Sequence, residues 1–106
     1  MILRIPEAIE LITVTRTKDQ DGIDQKTEKS KTVYGNVDSV SAAEFFEGGR
    51  NGLNPEIRVT MTILDYSGQT ILVRGGARFG IYRTYKSGNG TIELYAERKG
   101  GTNGGN

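Results

Sequence analysis

Strict alternation of apolar and polar residues in two segments constrains the fold more than any other feature of this sequence. In residues 57–63, isoleucine, valine or methionine occupies every second position, with arginine or threonine between. Residues 91–98 repeat the pattern with Ile92, Leu94 and Ala96. A period of two is the side-chain period of a β-strand with one buried and one solvated face. The sequence therefore predicts a β domain whose core is built from alternate residues.

Further strands are separated by glycine-containing turns. They are predicted at residues 9–17, 32–40, 69–74 and 78–85, which are rich in β-branched and aromatic side chains. Gly75-Gly76 marks one turn, and Asn89-Gly90 is typical of a type I′ hairpin turn. Five to six antiparallel strands of this length predict an all-β fold, either a small barrel or a sandwich, with one short helix between strands 2 and 3.

The first strand does not separate its faces cleanly. Ile9 and Leu11 point one way, whereas Ile12 and Val14 point the other. Either both faces of this strand are covered, or a bulge shifts the phase of its side chains.

Length and composition favour one turn-rich domain. A chain of 106 residues with 15 glycines and 35% hydrophobic residues fits a single small domain, which we place at residues 1–98. Residues 18–31 are strongly charged, with Ile23 as their only apolar side chain, and predict a mobile solvated loop. Residues 39–54 predict a second mobile loop, and residues 99–106 predict a disordered glycine-rich tail.

The absence of cysteine and histidine excludes whole classes of chemistry. Without them the chain cannot form disulfides, cysteine-based zinc sites or Ser-His and Cys-His nucleophile pairs. The spacing of Asp19, Asp21 and Asp24 superficially matches a calcium loop, but the glycine comes too early and no glutamate follows at the twelfth position, so an acidic turn is the better interpretation. We predict no enzymatic activity, no metal and no cofactor.

Charge and hydropathy limit the partners and the location. A formal charge of +1 creates no long-range field for nucleic acid or acidic membranes. No apolar run approaches the roughly 20 residues that cross a bilayer, and the first residues lack the order of a signal peptide. The sequence predicts a location in the cytoplasm or inside a particle, without membrane contact.

One helical segment interrupts the strands. Residues 41–47 read as a short helix closed by Gly48-Gly49. Ser41 and Glu44 have capping-box spacing, in which the serine hydroxyl accepts the N–H of residue 44 and the glutamate returns to the N–H of residue 41. Phe45 and Phe46 lie about 100° apart around the helix axis, so one can pack inward while the other remains available. Alternatively, both cover one end of the barrel.

Four segments together resemble the head closure (head-tail joining) family of tailed bacteriophages. The resemblance covers about residues 8–99. It rests on the order and spacing of Val40-Ser41-x-x-Glu44-Phe45-Phe46, Pro55-Glu56-Ile57, Ile81-Tyr82-Arg83-Thr84-Tyr85 and Ile92-Glu93-Leu94-Tyr95-x-Glu97-Arg98.

The resemblance implies a structural protein of the virion neck at the head-tail interface, present in the host cytoplasm during assembly. Such proteins are small β-barrels that assemble as a ring beneath the portal and adaptor, close the channel after DNA packaging and offer a surface to the tail or tail terminator. The family's stopper maps onto about residues 39–54, which contain Ser41, Glu44, Phe45 and Phe46. Arg50 could face the phosphates of packaged double-stranded DNA, or it could simply be solvated.

Two other function classes stay open. A nucleic-acid-binding barrel module would use one face of the domain for base stacking and phosphate contacts, formed by Tyr82, Tyr95, Arg58, Arg74 and Arg83. Near-neutral charge argues against it, and packing across strands is the simpler role for Tyr82, Tyr85 and Tyr95. A hydrolase would pair Glu93 with Glu97, but their spacing of roughly 13 Å along a strand exceeds that of catalytic carboxylate pairs.

Overall fold

A computed structural model, which describes residues 5–99, contains a six-stranded antiparallel β-barrel. The elements are β1 (Glu7–Lys18), β2 (Asp24–Ser39), α1 (Ala42–Arg50), β3 (Pro55–Thr62), a 3₁₀ turn (Ile63–Asp65), β4 (Ile71–Arg74), β5 (Ala77–Lys86) and β6 (Thr91–Arg98). The strands pair in the order β1-β2-β3-β6-β5-β4, and β4 pairs with β1 to close the barrel. The predicted all-β fold, with one helix between strands 2 and 3, is confirmed.

Alternate residues of β3 and β6 build the interior, as their period of two predicts. Val59, Leu94 and Ala96 have no exposed surface. The rest of the buried cluster comes from all six strands: Ile9, Leu11, Val33, Ile57, Met61, Leu72, Phe79 and Ile92. Because burying one such large apolar side chain stabilises a fold by about 1.5–3 kcal/mol, this cluster is the main source of stability.

The first strand has no bulge along its pairing with β2. β1 keeps one register with β2 from Glu7 to Lys18. Ile9 and Leu11 face the barrel interior, and Ile12 is also buried although it lies outside that cluster. Both faces of β1 are therefore covered at this point, which decides between the two alternatives.

The structure corrects the assignment of residues 18–31 to a loop. β1 and β2 stay paired as far as Lys18 and Asp24, and a turn at residues 19–23 joins them. The charged composition of these residues resembles that of a loop, but backbone pairing between two strands does not require an apolar face. From Thr13 to the start of the barrel part of β2, nearly every side chain is exposed. We refer to residues 13–18 and 24–29 as the ribbon.

The turn of the ribbon is acidic, as predicted. One carboxylate oxygen of Asp19 accepts the N–H groups of Asp21 and Ile23, each at 2.9 Å, and the other accepts the Gln25 side chain at 3.2 Å. Among the described residues, no three histidine, cysteine or acidic side chains come together as a metal site would require.

The predicted turn at Gly75-Gly76 is confirmed, whereas the turn at Asn89-Gly90 differs from the predicted type. Gly75 and Gly76, between β4 and β5, both have positive φ angles, of 57° and 83°, as a type I′ turn requires. Between β5 and β6 the hairpin exists, but its positive φ angles lie at Gly88 and Gly90 rather than at Asn89. The loop there has four residues instead of two, which relieves Asn89 of a left-handed conformation.

The described domain extends one residue beyond the predicted boundary. The Lys99 N–H donates to the Arg78 carbonyl at 3.0 Å, so Lys99 belongs to the domain rather than to the tail. The rest of the predicted tail, residues 100–106, lies outside the described residues. No helix within residues 5–99 has the length and apolar character needed to cross a membrane.

Candidate functional site

The chain leaves the barrel between β2 and β3, and we refer to residues 40–54 as the excursion. Its helix begins where the sequence predicts. Ser41 is the N-cap, and its hydroxyl accepts the Glu44 N–H at 3.1 Å. Such a cap stabilises a helix by about 1 kcal/mol.

The helix ends later than predicted, after Arg50. Gly48 and Gly49 lie within it, and the glycine with a positive φ angle is Gly52, at 79°. The Gly52 and Leu53 N–H groups donate to the carbonyls of Gly49 and Gly48, which is the Schellman pattern of a helix C-terminus. This motif needs a left-handed residue after the C-cap, so Gly52 ends the helix.

The Glu44 side chain does not complete the predicted capping box. Its carboxylate instead accepts the Tyr82 hydroxyl at 2.5 Å and forms a two-pronged ion pair with Arg83. We refer to Glu44, Tyr82 and Arg83 as the latch. It joins α1 to β5 through polar contacts alone.

A β-bulge in β5 makes the latch possible. Ile81 pairs with Ala96 and Arg83 pairs with Tyr95, so Tyr82 is an extra residue without a partner in the register. Neighbouring residues of a regular strand point to opposite faces, but a bulge re-aims them. Tyr82 and Arg83 can therefore both reach one carboxylate.

The latch is electrostatically favourable. The hydrogen bonds from Arg83, followed by that from Tyr82, hold the pKa of Glu44 below its ordinary value. Burial and the bond to Glu44 raise the pKa of Tyr82, so its hydroxyl stays protonated and donates at neutral pH. The Arg83 guanidinium also stacks 3.8 Å from the centre of the Tyr95 ring. Arg83 is thus held by an acid on one side and an aromatic ring on the other.

Further contacts tie both ends of the excursion to the barrel. The Val40 N–H donates to the Glu56 carbonyl at 3.2 Å, and the Asn54 N–H donates to the Glu97 carboxylate at 2.9 Å. Gly48 is buried against the Pro55 ring. A cleft of about 400 Å³ remains between α1 and β5 beside the latch.

The two phenylalanines project from α1 into solvent. Phe45 is 45% exposed and Phe46 is 64% exposed. Their rings contact each other edge to face, with centroids 5.5 Å apart. Both expectations are therefore wrong: the rings do not cover the end of their own barrel, and neither packs into its core. Exposing large apolar side chains to water is unfavourable in free energy unless a partner surface covers them.

The remaining predicted site residue, Arg50, does not join this pair. It lies in the last turn of α1 and is exposed, and its guanidinium contacts Glu47 at 3.3 Å. Of the predicted set, Ser41 and Glu44 shape and dock the helix, whereas Phe45 and Phe46 form its outer surface.

Residues of the two alternative functions are mostly engaged in contacts within the domain. Each arginine of the proposed nucleic-acid face is paired with a carboxylate, in the pairs Arg58–Asp38, Arg74–Glu7 and Arg83–Glu44. The hydrolase pair is engaged as well, since the Glu93 carboxylate accepts the Tyr95 hydroxyl at 2.6 Å and the Glu97 carboxylate accepts the Asn54 N–H. These contacts leave little free charge for either role.

The contact of Tyr82 and Arg83 with the excursion was not predicted from the sequence. They lie nearly forty residues from Glu44 along the chain, and no local pattern predicts the contact. The bulge that brings them together also has no signal in the sequence, because the Ile81 to Tyr85 run reads as an ordinary strand.

Comparison with known proteins does not assign the chain to a family. No family model matches it, and no curated protein matches it significantly.

Proposed function

We propose that this chain is a head closure protein of a tailed-bacteriophage neck. In this proposal it is a structural protein and not an enzyme, and it assembles as a homo-oligomeric ring beneath the portal and adaptor. It closes the DNA channel after packaging and presents the docking surface for the tail.

The observation that carries the proposal is the exposed pair Phe45–Phe46 on a helix outside the barrel. A lone domain gains nothing by holding two aromatic rings in water, so the pair favours an apolar partner. In a ring, symmetry places one pair on every subunit around a common axis. The pairs can then cover one another, and weak contacts become collectively strong.

The polar latch supports the same function. A stopper has to hold its position in one state and leave it in another, and the side chain that joins α1 to β5 is the charged Glu44. Arg83 keeps 46% of its side chain exposed, so water can replace its hydrogen bonds to Glu44 when the helix leaves the barrel. Order and disorder of such a segment can therefore follow the contents of the channel.

The test is a phage in which Phe45→Ala and Phe46→Ala are introduced together. Because both rings are exposed, we expect the domain to fold with its stability changed by no more than about 0.5 kcal/mol. Heads should package DNA but then leak it, which nuclease sensitivity of the packaged DNA measures.

Leu64→Ala is the matched control. Leu64 is 86% exposed and lies in the 3₁₀ turn outside the excursion, so its loss removes an exposed apolar side chain without touching α1. These heads should retain their DNA. If the double phenylalanine variant retained DNA and joined tails normally, the stopper proposal would be wrong.

A further inference from the structure

The ribbon leaves two strand edges open. β1 pairs with β4 only from Glu10 to Ile12, and β2 pairs with β3 only from Asn36 to Ser39. Within residues 5–99, no strand therefore adds to the outer edge of residues 13–18 or of residues 24–35. These edges carry backbone N–H and C=O groups that can pair with another strand.

The ribbon is also a poor structure on its own. A two-stranded hairpin exposed on both faces is marginally stable in water, and this one has few contacts beyond its own strands. One of these is the ion pair of Arg78 with Glu28, at 3.0 Å. Pairing with a further strand would satisfy the open edge and stabilise the ribbon.

The charges of the two edges differ in a way that selects the partner. Arg16 and Lys18 lie on one face of β1, and on that face β2 carries Asp24, Lys26 and Glu28, whereas Lys29 and Lys31 point to the opposite face. Two β1 edges would therefore repel each other, and a β1 edge suits a β2 edge.

We infer that the β1 edge of the ribbon pairs with the open β2 edge, within residues 24–35, of a neighbouring copy of this chain. The inference rests on the ring assembly of the proposed function and names the surface that joins its subunits. When all ribbons of a ring point the same way, β1 and the neighbour's β2 are antiparallel. Closure of the ring then leaves neither edge unpaired.

Backbone geometry and charge select one register. Within the hairpin, odd residues pair with odd residues and even with even, as in Thr13↔Lys29 and Val14↔Glu28. The outward-pointing groups therefore have the same parity on both strands, and only every second register can form between copies.

Lys18 then faces residue 24, 26, 28 or 30 of the neighbour if the whole β1 edge is to pair. With Lys18 opposite residue 24, Arg16 lies opposite Lys26. With Lys18 opposite residue 26, two lysines oppose each other. The fourth forms no ion pair. The third places Lys18 opposite Glu28 and Arg16 opposite Ser30, with no like charges directly opposed.

The Arg78 contact is compatible with this register. Arg78 donates one hydrogen bond to each carboxylate oxygen of Glu28. A carboxylate has about four lone-pair sites, so Glu28 can accept Lys18 of the neighbour while Arg78 holds it in place.

Disulfide capture tests the register directly, because the natural chain has no cysteine. In the variant Arg16→Cys/Ser30→Cys, the selected register places position 16 of each chain opposite position 30 of its neighbour. Within one chain, Arg16 pairs with Lys26, four residues along β2 from Ser30. That is about 13 Å, too far for a disulfide. Mild oxidation should therefore give a ladder of covalent oligomers.

Thr17→Cys/Ser30→Cys is the matched control. Residues 16 and 17 point to opposite faces of β1, so this pair should stay monomeric under the same oxidation. A monomeric Arg16→Cys/Ser30→Cys protein, or equal ladders from both variants, would overturn the inference.

A charge exchange gives a second readout on the chain without cysteines. Lys18→Glu and Glu28→Lys should each weaken self-association about fivefold in sedimentation, as expected for a cross-strand ion pair turned into a repulsion. The double variant should restore it, whereas Arg78→Gln should have a much smaller effect. Double variants no better than the single ones would contradict the register.

These results separate the inference from the proposed function. If disulfide ladders fail to form but the Phe45→Ala/Phe46→Ala heads leak DNA, the ribbon inference is wrong and the stopper proposal stands. If disulfide ladders form but the Phe45→Ala/Phe46→Ala heads retain DNA, the stopper proposal is wrong and the ribbon inference stands.

Discussion

Two adjacent glycines of α1 are predicted to respond to the same substitution with opposite sign. Gly48 and Gly49 both lie inside the helix, where replacing glycine by alanine gains about 0.5–1 kcal/mol because the unfolded chain loses freedom. A Cβ on Gly49 meets nothing within 4 Å. A Cβ on Gly48 would lie 2.4 Å from Pro55 Cγ and 3.1 Å from Pro55 Cδ.

The clash at Gly48 should exceed the helical gain. Forcing a methyl group into a packed contact costs about 1–3 kcal/mol, so Gly48→Ala should lose about 1 kcal/mol overall. The helical gain is common to both variants and cancels in their difference. Gly49→Ala should therefore be about 2 kcal/mol more stable than Gly48→Ala, a difference that equals the cost of the clash.

Urea unfolding measures the global part of this difference, and hydrogen exchange of the α1 amides measures any part that appears as undocking of the helix alone. Gly49→Ala should raise the free energy of unfolding, the protection of the α1 amides, or both. Gly48→Ala should lower the quantity that Gly49→Ala raises. If both variants shift both measurements equally, α1 does not pack against Pro55 as described.

Three further predictions concern the latch, the core and the surface. The hydrogen bonds from Arg83 lower the pKa of Glu44 below 4.5, so the latch contributes fully above that pH and is lost as the pH falls through the lower folded-state value. The protection of the α1 amides, which is their intrinsic exchange rate divided by the observed rate, should fall over that range in the natural chain, whereas Glu44→Gln should show low protection at neutral pH and no such acid step. Leu94→Ala should lose about 3 kcal/mol in urea unfolding, because a fully buried side chain leaves a cavity; a loss below about 1 kcal/mol would argue against the described core. Single-stranded DNA should show no binding with a steep salt dependence, since Arg58, Arg74 and Arg83 are paired; a slope indicating several phosphate contacts would favour the nucleic-acid module.

The strands that bury one face were predictable from sequence, and the ribbon was not. The period of two in β3 and β6 follows from burial, so the bounds of β6 match the prediction at both ends. Residues 24–31 form a strand through backbone pairing with β1 while their side chains remain in water. Their composition resembles that of a loop because neither condition that marks a strand in sequence, an apolar face or β-branched enrichment, is needed for that pairing.

The site was predictable only as far as its local contacts. Ser41 and the Glu44 N–H are three residues apart, so capping spacing identifies them. The partner of the Glu44 carboxylate depends on the bulge at Tyr82 and on how the excursion lies against β5. The end of the helix was misplaced because three glycines follow Glu47 within five residues, and only the fold shows that Gly52 takes the left-handed conformation.

The most direct test of the central claim is an electron cryomicroscopy map of the neck from phage particles that carry this chain, compared with particles that lack it. We expect a ring of these barrels beneath the portal and adaptor, with Phe45 and Phe46 of every subunit directed toward the channel axis. A neck without such a ring, or a ring whose excursions point away from the channel, would contradict it.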